Sequence, residues 1–274
     1  MKKNLKIIMA FVLGLIISGI GVYAVTQINA TDITYDNTTS GLNATDAQSA
    51  LDELTDKVNN SGRLVTIYSA ASDTIYYYDS DNNKVDVCST KSNGVGRCTL
   101  PVGDITLYST IAKNPSDQSV QYSKSITVSS DTSSVILMPD GQILYWYGYN
   151  NGMQQMNSSN GWTYGGWTLS GGSWQANSIY LSVSSEVTAV GIGSTNKIEA
   201  GKVVSVVARP VKGGNYMRET TSKTNSPNTQ YRSLTTGRNT LTWKGNNYLK
   251  IWASGPEKGG SQTSQCYIDA VYAQ

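Results

Sequence analysis

The stretch Arg97-Cys98-Thr99-Leu100-Pro101-Val102-Gly103-Asp104-Ile105-Thr106-Leu107-Tyr108 decides the fold. A short strand ends at Leu100. Pro101 and Gly103 then turn the chain, one by fixing φ and the other by tolerating positive φ. From Asp104 polar and apolar residues alternate, the period of a half-buried strand. The same grammar extends on both sides. Leu64–Ser69, Thr74–Tyr78 and Lys84–Cys88 precede it; Asp104–Ala112, Gln121–Val128 and Ser134–Met138 complete the series. Asp79-Ser80-Asp81-Asn82-Asn83, Ser92-Asn93-Gly94 and Asn114-Pro115-Ser116-Asp117 supply turns between them. Short strands separated by such turns predict a β-sandwich over 63–138.

Met138-Pro139-Asp140-Gly141 marks the next boundary, because Pro and Gly together turn the chain. Beyond it, strands are expected at Ile143–Tyr149, Ser178–Ser184, Val187–Ile192, Val203–Arg209, Thr240–Trp243, Tyr248–Ala253 and Tyr267–Ala273. The polar stretch 210–238 reads as a long loop with room for one extra strand. No helical period of useful length occurs in 139–274. The expected fold class is therefore all-β: two tandem β-sandwiches, 63–138 and 139–274, after an N-terminal apolar helix and a short stalk helix.

Lys2, Lys3 and Lys6 precede an uncharged run from Ile7 to Val25. A basic flank before an apolar stretch is the pattern of an export signal. The run is also close to the roughly 20 residues that span a bilayer. Two fates compete: cleavage after Ala24, giving a secreted chain, or retention as a membrane anchor with Thr26 onward outside. No downstream anchor or sorting motif is seen, which favours the anchor. A prepilin reading fails, since no Glu precedes Glu53.

The chain has no His, which removes the usual general base, the usual metal ligand and any Ser-His-Asp triad. Its only Phe is Phe11; the other aromatics are Tyr and Trp, whose polar handles suit wet surfaces. Net charge is +2 but uneven: residues 26–141 carry −7 and residues 142–274 carry +6. The C-terminal part could attract an anionic partner, or simply display scattered solvated charge. Export disfavours nucleic acid as a partner. Cys88 and Cys98 flank a Gly/Asn turn and would either bridge a hairpin or stay as thiols. Cys266 reads as a small core residue.

Residues 26–44 read as an exposed linker within the segment 26–62. A helix is expected over 45–58, with Thr45 and Gln48 as its capping box. Ala47, Leu51, Leu54 and Val58 form one coiled-coil seam. Two heptads do not hold a helix alone, so the seam must pack on a second copy or on the following domain. Thr39-Ser40-Gly41-Leu42-Asn43-Ala44-Thr45-Asp46-Ala47-Gln48-Ser49-Ala50-Leu51-Asp52-Glu53-Leu54 resembles a motif of phage tail-fibre-type and bacterial surface proteins. That resemblance implies a stalk or connector before β-rich modules.

Gly94 through Tyr108 resembles the transthyretin-like or carboxypeptidase-regulatory-like sandwich, which implies a spacer over about 75 residues. Residues 142–274 resemble galactose-binding-like jelly-roll carbohydrate-binding modules. The matching stretches are Ile198 to Arg209, Leu249-Lys250-Ile251-Trp252, and Cys266 to Tyr272 with Asp269 at the usual acidic position. In many relatives that Asp neighbours a structural calcium. No second acidic cluster accompanies it here, so no metal or cofactor is expected.

Two aromatic groups are candidate ligand contacts. Trp162, Tyr164, Trp167 and Trp174 lie in a Gly/Ser-rich stretch, either as flat sugar-stacking surfaces or as anchors tying a loose loop to the core. In 248–253, alternation assigns Leu249, Ile251 and Ala253 to the core and Tyr248, Lys250 and Trp252 to the other face. That stripe is a solvent- or groove-facing platform, or ordinary cross-strand packing. Along Ile143–Tyr149, Tyr145, Tyr147 and Tyr149 share one face and Leu144 and Trp146 the other.

Other signals do not hold. Gly191-Ile192-Gly193 lacks the strand–turn–helix setting of a dinucleotide site. Asp79, Asp81 and Asp86 lack the length and terminal Glu of an EF-hand. Glu186, Glu199, Glu219, Glu257 and Asp269 form no pair suited to glycoside hydrolysis. The expected function is a non-enzymatic surface or tail-fibre-like protein that binds a carbohydrate or cell-surface ligand. The rivals are a structural component making protein contacts only, and a His-free enzyme.

Overall fold

The computed structural model describes residues 29–36, 38, 40, 42–60, 62–156, 163–164, 167–170, 173–183, 188–221, 231–254 and 263–274. The chain forms two compact units, Met1–Ser61 and Gly62–Gln274. The run Ile7 to Val25 lies outside the described residues. Among the described residues no helix is long and apolar enough to cross a membrane.

The first unit holds one helix, α1 (Ala47–Asn60), after a single 3-10 turn at Ala30–Asp32. Its cap is Asp46, not the expected Thr45. The Ser49 N–H donates to Asp46 Oδ1 at 2.8 Å and the Ser49 hydroxyl to Oδ2 at 2.7 Å. The reason is a small antiparallel bridge between Thr34 and Asp46, in which the Tyr35 N–H donates to the Thr45 carbonyl. That bridge ties the Thr45 carbonyl and Asp46 to the preceding segment, and the helix begins at Ala47. The expected linker is therefore partly structured. Glu53 reinforces it: its Oε2 accepts the N–H groups of Asn43 and Ala44 at 2.7 and 3.0 Å. Leu51 and Leu54 stay exposed, at 59% and 49%, while Ala44 and Ala50 are buried.

The second unit is built from strands alone among its described residues. In chain order these are β1 (Arg63–Tyr68), β2 (Thr74–Tyr78), β3 (Lys84–Ser89), β4 (Val95–Leu100), β5 (Gly103–Asn114), β6 (Asp117–Val128) and β7 (Ser134–Ile136). Then follow β8 (Gln142–Trp146), β9 (Tyr149–Asn150), β10 (Met153–Met156), β11 (Thr163–Tyr164), β12 (Trp167–Ser170), β13 (Ser173–Trp174) and β14 (Ile179–Val183). The rest are β15 (Thr188–Ser194), β16 (Val203–Lys212), β17 (Gly214–Thr220), β18 (Tyr231–Ser233), β19 (Gly237–Thr242), β20 (Tyr248–Ser254) and β21 (Ser264–Ala273).

Four sheets result. β4-β1-β7 and β3-β2-β5-β6 enclose one core, to which Ile67, Ile75, Leu100, Leu107 and Leu137 contribute. Each such buried aliphatic side chain contributes about 1.5–3 kcal/mol. β1 pairs antiparallel with β4 and parallel with β7. Cys88 and Cys98 form a disulfide with Cα atoms 5.2 Å apart. It joins β3 to β4, the edges of two different sheets, so it staples the pair together and is not a bridge within one hairpin. Asp73, fully buried, ties the loops beyond the core. It accepts the hydroxyls of Ser69, Ser109 and Thr110 and the N–H groups of Thr110 and Ile111.

The second core lies between β11-β12-β15-β20-β17-β18, with β10 beside β15, and β13-β14-β21-β16-β19, with β8 and β9 beside β21. Here the described residues of the loop expected over 210–238 are largely strand. β16 runs on to Lys212, and β17 crosses the middle of its sheet beside β20. Its polar sequence misleads because Tyr216, Arg218 and Thr220 alternate with Asn215, Met217 and Glu219, of which only Met217 is apolar core. Glu219 instead accepts the backbone N–H groups of Lys244 and Gly245.

The expected strand Ile143–Tyr149 stops at Trp146. Tyr147 has φ +35° and Gly148 φ +90°, so the chain turns sharply there. The tyrosines are split accordingly. Tyr145 joins the second core with Leu144, whereas Trp146 and Tyr147 enter a third buried cluster with Ala70, Ala112, Met138, Val207 and Tyr272. That cluster binds the two cores into one unit.

Candidate functional site

The outer face of β14, β21 and β16 carries the clearest site. Ile179, Leu181 and Val183 of β14 and Cys266 and Ile268 of β21 point into the core. Alternation then turns Tyr180, Tyr267 and Asp269 to the opposite side. Burial pushes the Cys266 thiol up to about 12, consistent with a packed core residue.

Tyr180 and Tyr267 are register partners, with ring centroids 4.7 Å apart and planes 32° from parallel. Arg209 of β16 pairs with Tyr267 on the other side, its guanidinium carbon 4.8 Å from the ring centre. Asp269 holds it there. Arg209 Nε donates to Oδ2 at 2.6 Å and Nη2 to Oδ1 at 2.7 Å. These hydrogen bonds push the Arg209 pKa further up, against the opposing effect of burial. A planar fork makes both contacts together; a lysine ammonium does not. The Asp269 side chain is 4% exposed and that of Arg209 is 49% exposed, so a buried carboxylate fixes a half-exposed cation.

The row ends in a cleft of about 360 Å³ lined by Ile111, Lys113, Gln118, Tyr147, Asn177, Arg209 and Asp269. Tyr147 is fixed at its floor. Its N–H donates to the Asp269 carbonyl, and its hydroxyl accepts the Lys113 N–H at 3.0 Å. Burial pushes the Tyr147 phenol up, which keeps it protonated. The arrangement offers a tilted pair of tyrosine rings, a planar cation and side-chain amides. Those are the contacts that grip a ligand with an apolar face and hydroxyl edges.

The expected stripe on β20 is present but is not solvent-facing. Leu249, Ile251 and Ala253 are in the core as alternation required. Lys250 and Trp252 on the other face are only 3% and 4% exposed, and Tyr248 is half-buried. The particular register neighbours of β20 shield it. Tyr216 stacks on Trp252 at 5.3 Å, and Arg218 lies directly opposite Lys250. Gly191 and Gly193 of β15 are the partners of Trp252 and Lys250 and leave them room. This gives the glycine pair a packing role. Burial, reinforced by the Arg218 charge, lowers the Lys250 pKa to about 7.

Trp162 lies outside the described residues. Tyr164 and Trp167 are register partners in β11 and β12, and Trp174 pairs with Ile179 from β13. The structure does not bring the Tyr180–Tyr267–Arg209 row together with Tyr248, Lys250 or Trp252, because the two groups belong to different sheets.

Sequence reasoning missed that row, although the alternation Gln265, Tyr267, Asp269 against Cys266, Ile268 was visible. It also missed a second aromatic group. Tyr76 and Tyr108 stack at 5.2 Å across β2 and β5, and Tyr78 stands edge-on to both. Lys84 sits 4.4 Å from the Tyr76 ring centre and pairs with Asp86. The acidic loop nearby is structural: Asp79 Oδ1 accepts the N–H groups of Asp81 and Asn83. Among the described residues, no three Cys, Asp or Glu side chains gather closely enough to hold a metal ion.

Fold and site together define a β-rich protein that displays an aromatic–cation row on one sheet. No protein-family model matches the chain, and no curated protein matches it in sequence.

Proposed function

We propose that the chain is an exported, non-enzymatic binding protein of a cell surface or tail-fibre-like assembly, whose C-terminal part binds a carbohydrate or cell-surface ligand. The Tyr180–Tyr267–Arg209 row carries this reading. Sugar rings present C–H faces edged with hydroxyls. Tyr180, at the end of the row and backed by Tyr267, meets the first, and guanidinium and amide groups serve the second. Because Asp269 fixes Arg209 before any ligand arrives, little ordering entropy is spent on binding.

In this reading residues 63–138 are a spacer sandwich of transthyretin-like type and 139–274 a jelly roll. Ile7 to Val25 forms an apolar helix that anchors the chain in the cell membrane with the rest outside, or is removed after Ala24. The exposed Leu51 and Leu54 form the seam through which copies associate. Trp162, Tyr164, Trp167 and Trp174 extend the ligand surface, while Lys250 and Trp252 hold their sheet together and Tyr248 edges it.

The test is a glycan array probed with wild-type protein and with Tyr180→Ala/Tyr267→Ala. Binding to a defined glycan set, lost in the variant with the fold intact, supports the proposal. Absence of any glycan binding would sink it and leave the purely structural reading.

A further inference from the structure

A second concavity, larger than the cleft beside Arg209, opens between the two cores. It measures about 550 Å³, within the usual range of small-ligand sites. Tyr68 at the end of β1 and Tyr149 of β9 line it, and both pack against the third buried cluster, so their rings are held from behind. Lys124 of β6 reaches in from one side. Its Nζ donates to Asp140 Oδ1 at 2.8 Å and to the Met138 carbonyl at 3.4 Å. The turn bearing Asp140 is pinned: Gly141 has φ +115°, and a Cβ there would strike the Ala273 carbonyl. Gln142 and Asn151 bring two exposed amides to the rim.

We infer that this cleft binds a neutral saccharide through a vicinal diol. The pair Lys124–Asp140 presents a donor and an acceptor at hydrogen-bond spacing. A hydroxyl is both donor and acceptor, so two neighbouring hydroxyls satisfy ammonium and carboxylate at once. Tyr68 and Tyr149 cover the apolar face of the ring, and Gln142 and Asn151 take its remaining hydroxyls. The ion pair is internally compensated, so the cleft has no charge for a carboxylated or phosphorylated sugar to answer. This site shares no residue with the Tyr180–Tyr267–Arg209 row and stands independently of it.

The experiment is an NMR titration of the exported chain with methyl glucoside, methyl galactoside and methyl mannoside, with glycerol as the acyclic control. Sugars are taken to ~100 mM, well above the millimolar dissociation constant expected of a single weak site. At least one glycoside should shift the Gln142 and Asn151 side-chain amides saturably, and glycerol should not. Asp140→Asn, at an exposed position, should weaken that binding about tenfold without disturbing the fold, and Tyr149→Ala should do the same. Tyr267→Ala should leave it unchanged, which separates this site from the row. No saturable shift with any glycoside, or shifts unaltered by Asp140→Asn, would overturn the inference.

Discussion

Arg209 lies over the Tyr267 ring at 4.8 Å while both its inner nitrogens are bound by the buried carboxylate of Asp269. One acid thus sets the position of a cation on the opposite side of the strand register from Tyr180. Arg209→Lys keeps the charge but loses the fork and the flat stack. Ligand binding at the row should fall about tenfold, equal to about 1.4 kcal/mol, with net charge unchanged. Isothermal titration with a glycan found on the array measures it; equal affinity in the variant would show that the charge alone suffices and that the fork and stack do not matter.

Asp73 anchors five hydrogen bonds while fully buried. Asp73→Ala strands three hydroxyls and two backbone N–H groups, of which Ser69 and Ser109 are fully buried. The loss should be about 2–5 kcal/mol, since unsatisfied buried groups cost about 1–3 kcal/mol each and partly relax. Urea unfolding followed by circular dichroism reads it directly. A change within 0.5 kcal/mol, the size typical of surface substitutions, would mean the network is not formed.

The Cys88–Cys98 disulfide closes a loop over a sequence separation of 10. Such a short loop contributes roughly 2–3 kcal/mol through the unfolded state. Reduction, or Cys88→Ser/Cys98→Ser, should lower the melting temperature by several degrees and loosen the β3–β4 edge first. Hydrogen exchange at Val87 and Thr99 reports that edge; identical melting with and without reductant would contradict the staple.

Lys250 gives a pH signature. Burial and the facing Arg218 depress its folded pKa to about 7, against 10.5 when unfolded. Between these values the unfolded chain binds one more proton than the folded chain. Stability therefore rises with pH across that window, by at most about 1.4 kcal/mol per unit, and the full penalty is felt below about pH 7. Lys250→Met should be stabilised relative to wild type at pH 6 and approach it above pH 10. A constant difference across the range would refute the depressed pKa.

Strand positions were largely legible in the sequence, because turn residues and period-two alternation are local. Thr74–Tyr78 is matched residue for residue, and Leu249, Ile251 and Ala253 occupy the core as alternation demands. What alternation leaves open is which sheet face a neighbour covers. Trp252 and Lys250 looked outward by the same rule that leaves Tyr267 outward, and both strands are flanked on each side; what separates them is the register neighbours, Gly191 and Gly193 on one side of β20 and Arg218 and the stacked Tyr216 on the other. β17 was hidden because its core-side residues Asn215 and Glu219 are polar, the Asn215 amide donating to the Gln265 carbonyl and Glu219 accepting the Gly245 N–H. The Thr34–Asp46 bridge, which moved the helix cap, joins residues twelve apart and leaves no local trace.

The helix seam carries its own prediction. Leu51 and Leu54 are exposed on α1, so Leu51→Gln/Leu54→Gln should not lower the stability of a single chain. It should convert an oligomer to monomer in sedimentation velocity. A monomeric wild type would show that Leu51 and Leu54 join no second copy.

The most direct measurement is glycan binding by the full-length chain compared with Tyr267→Ala. Tyr267 is the middle ring of the row, in contact with both Tyr180 and Arg209. Saturable binding to a defined glycan is expected, weakened at least tenfold by Tyr267→Ala while circular dichroism and melting stay close to wild type. Undiminished binding in the variant would contradict the row as the site, and no glycan binding by the wild type would contradict the function itself.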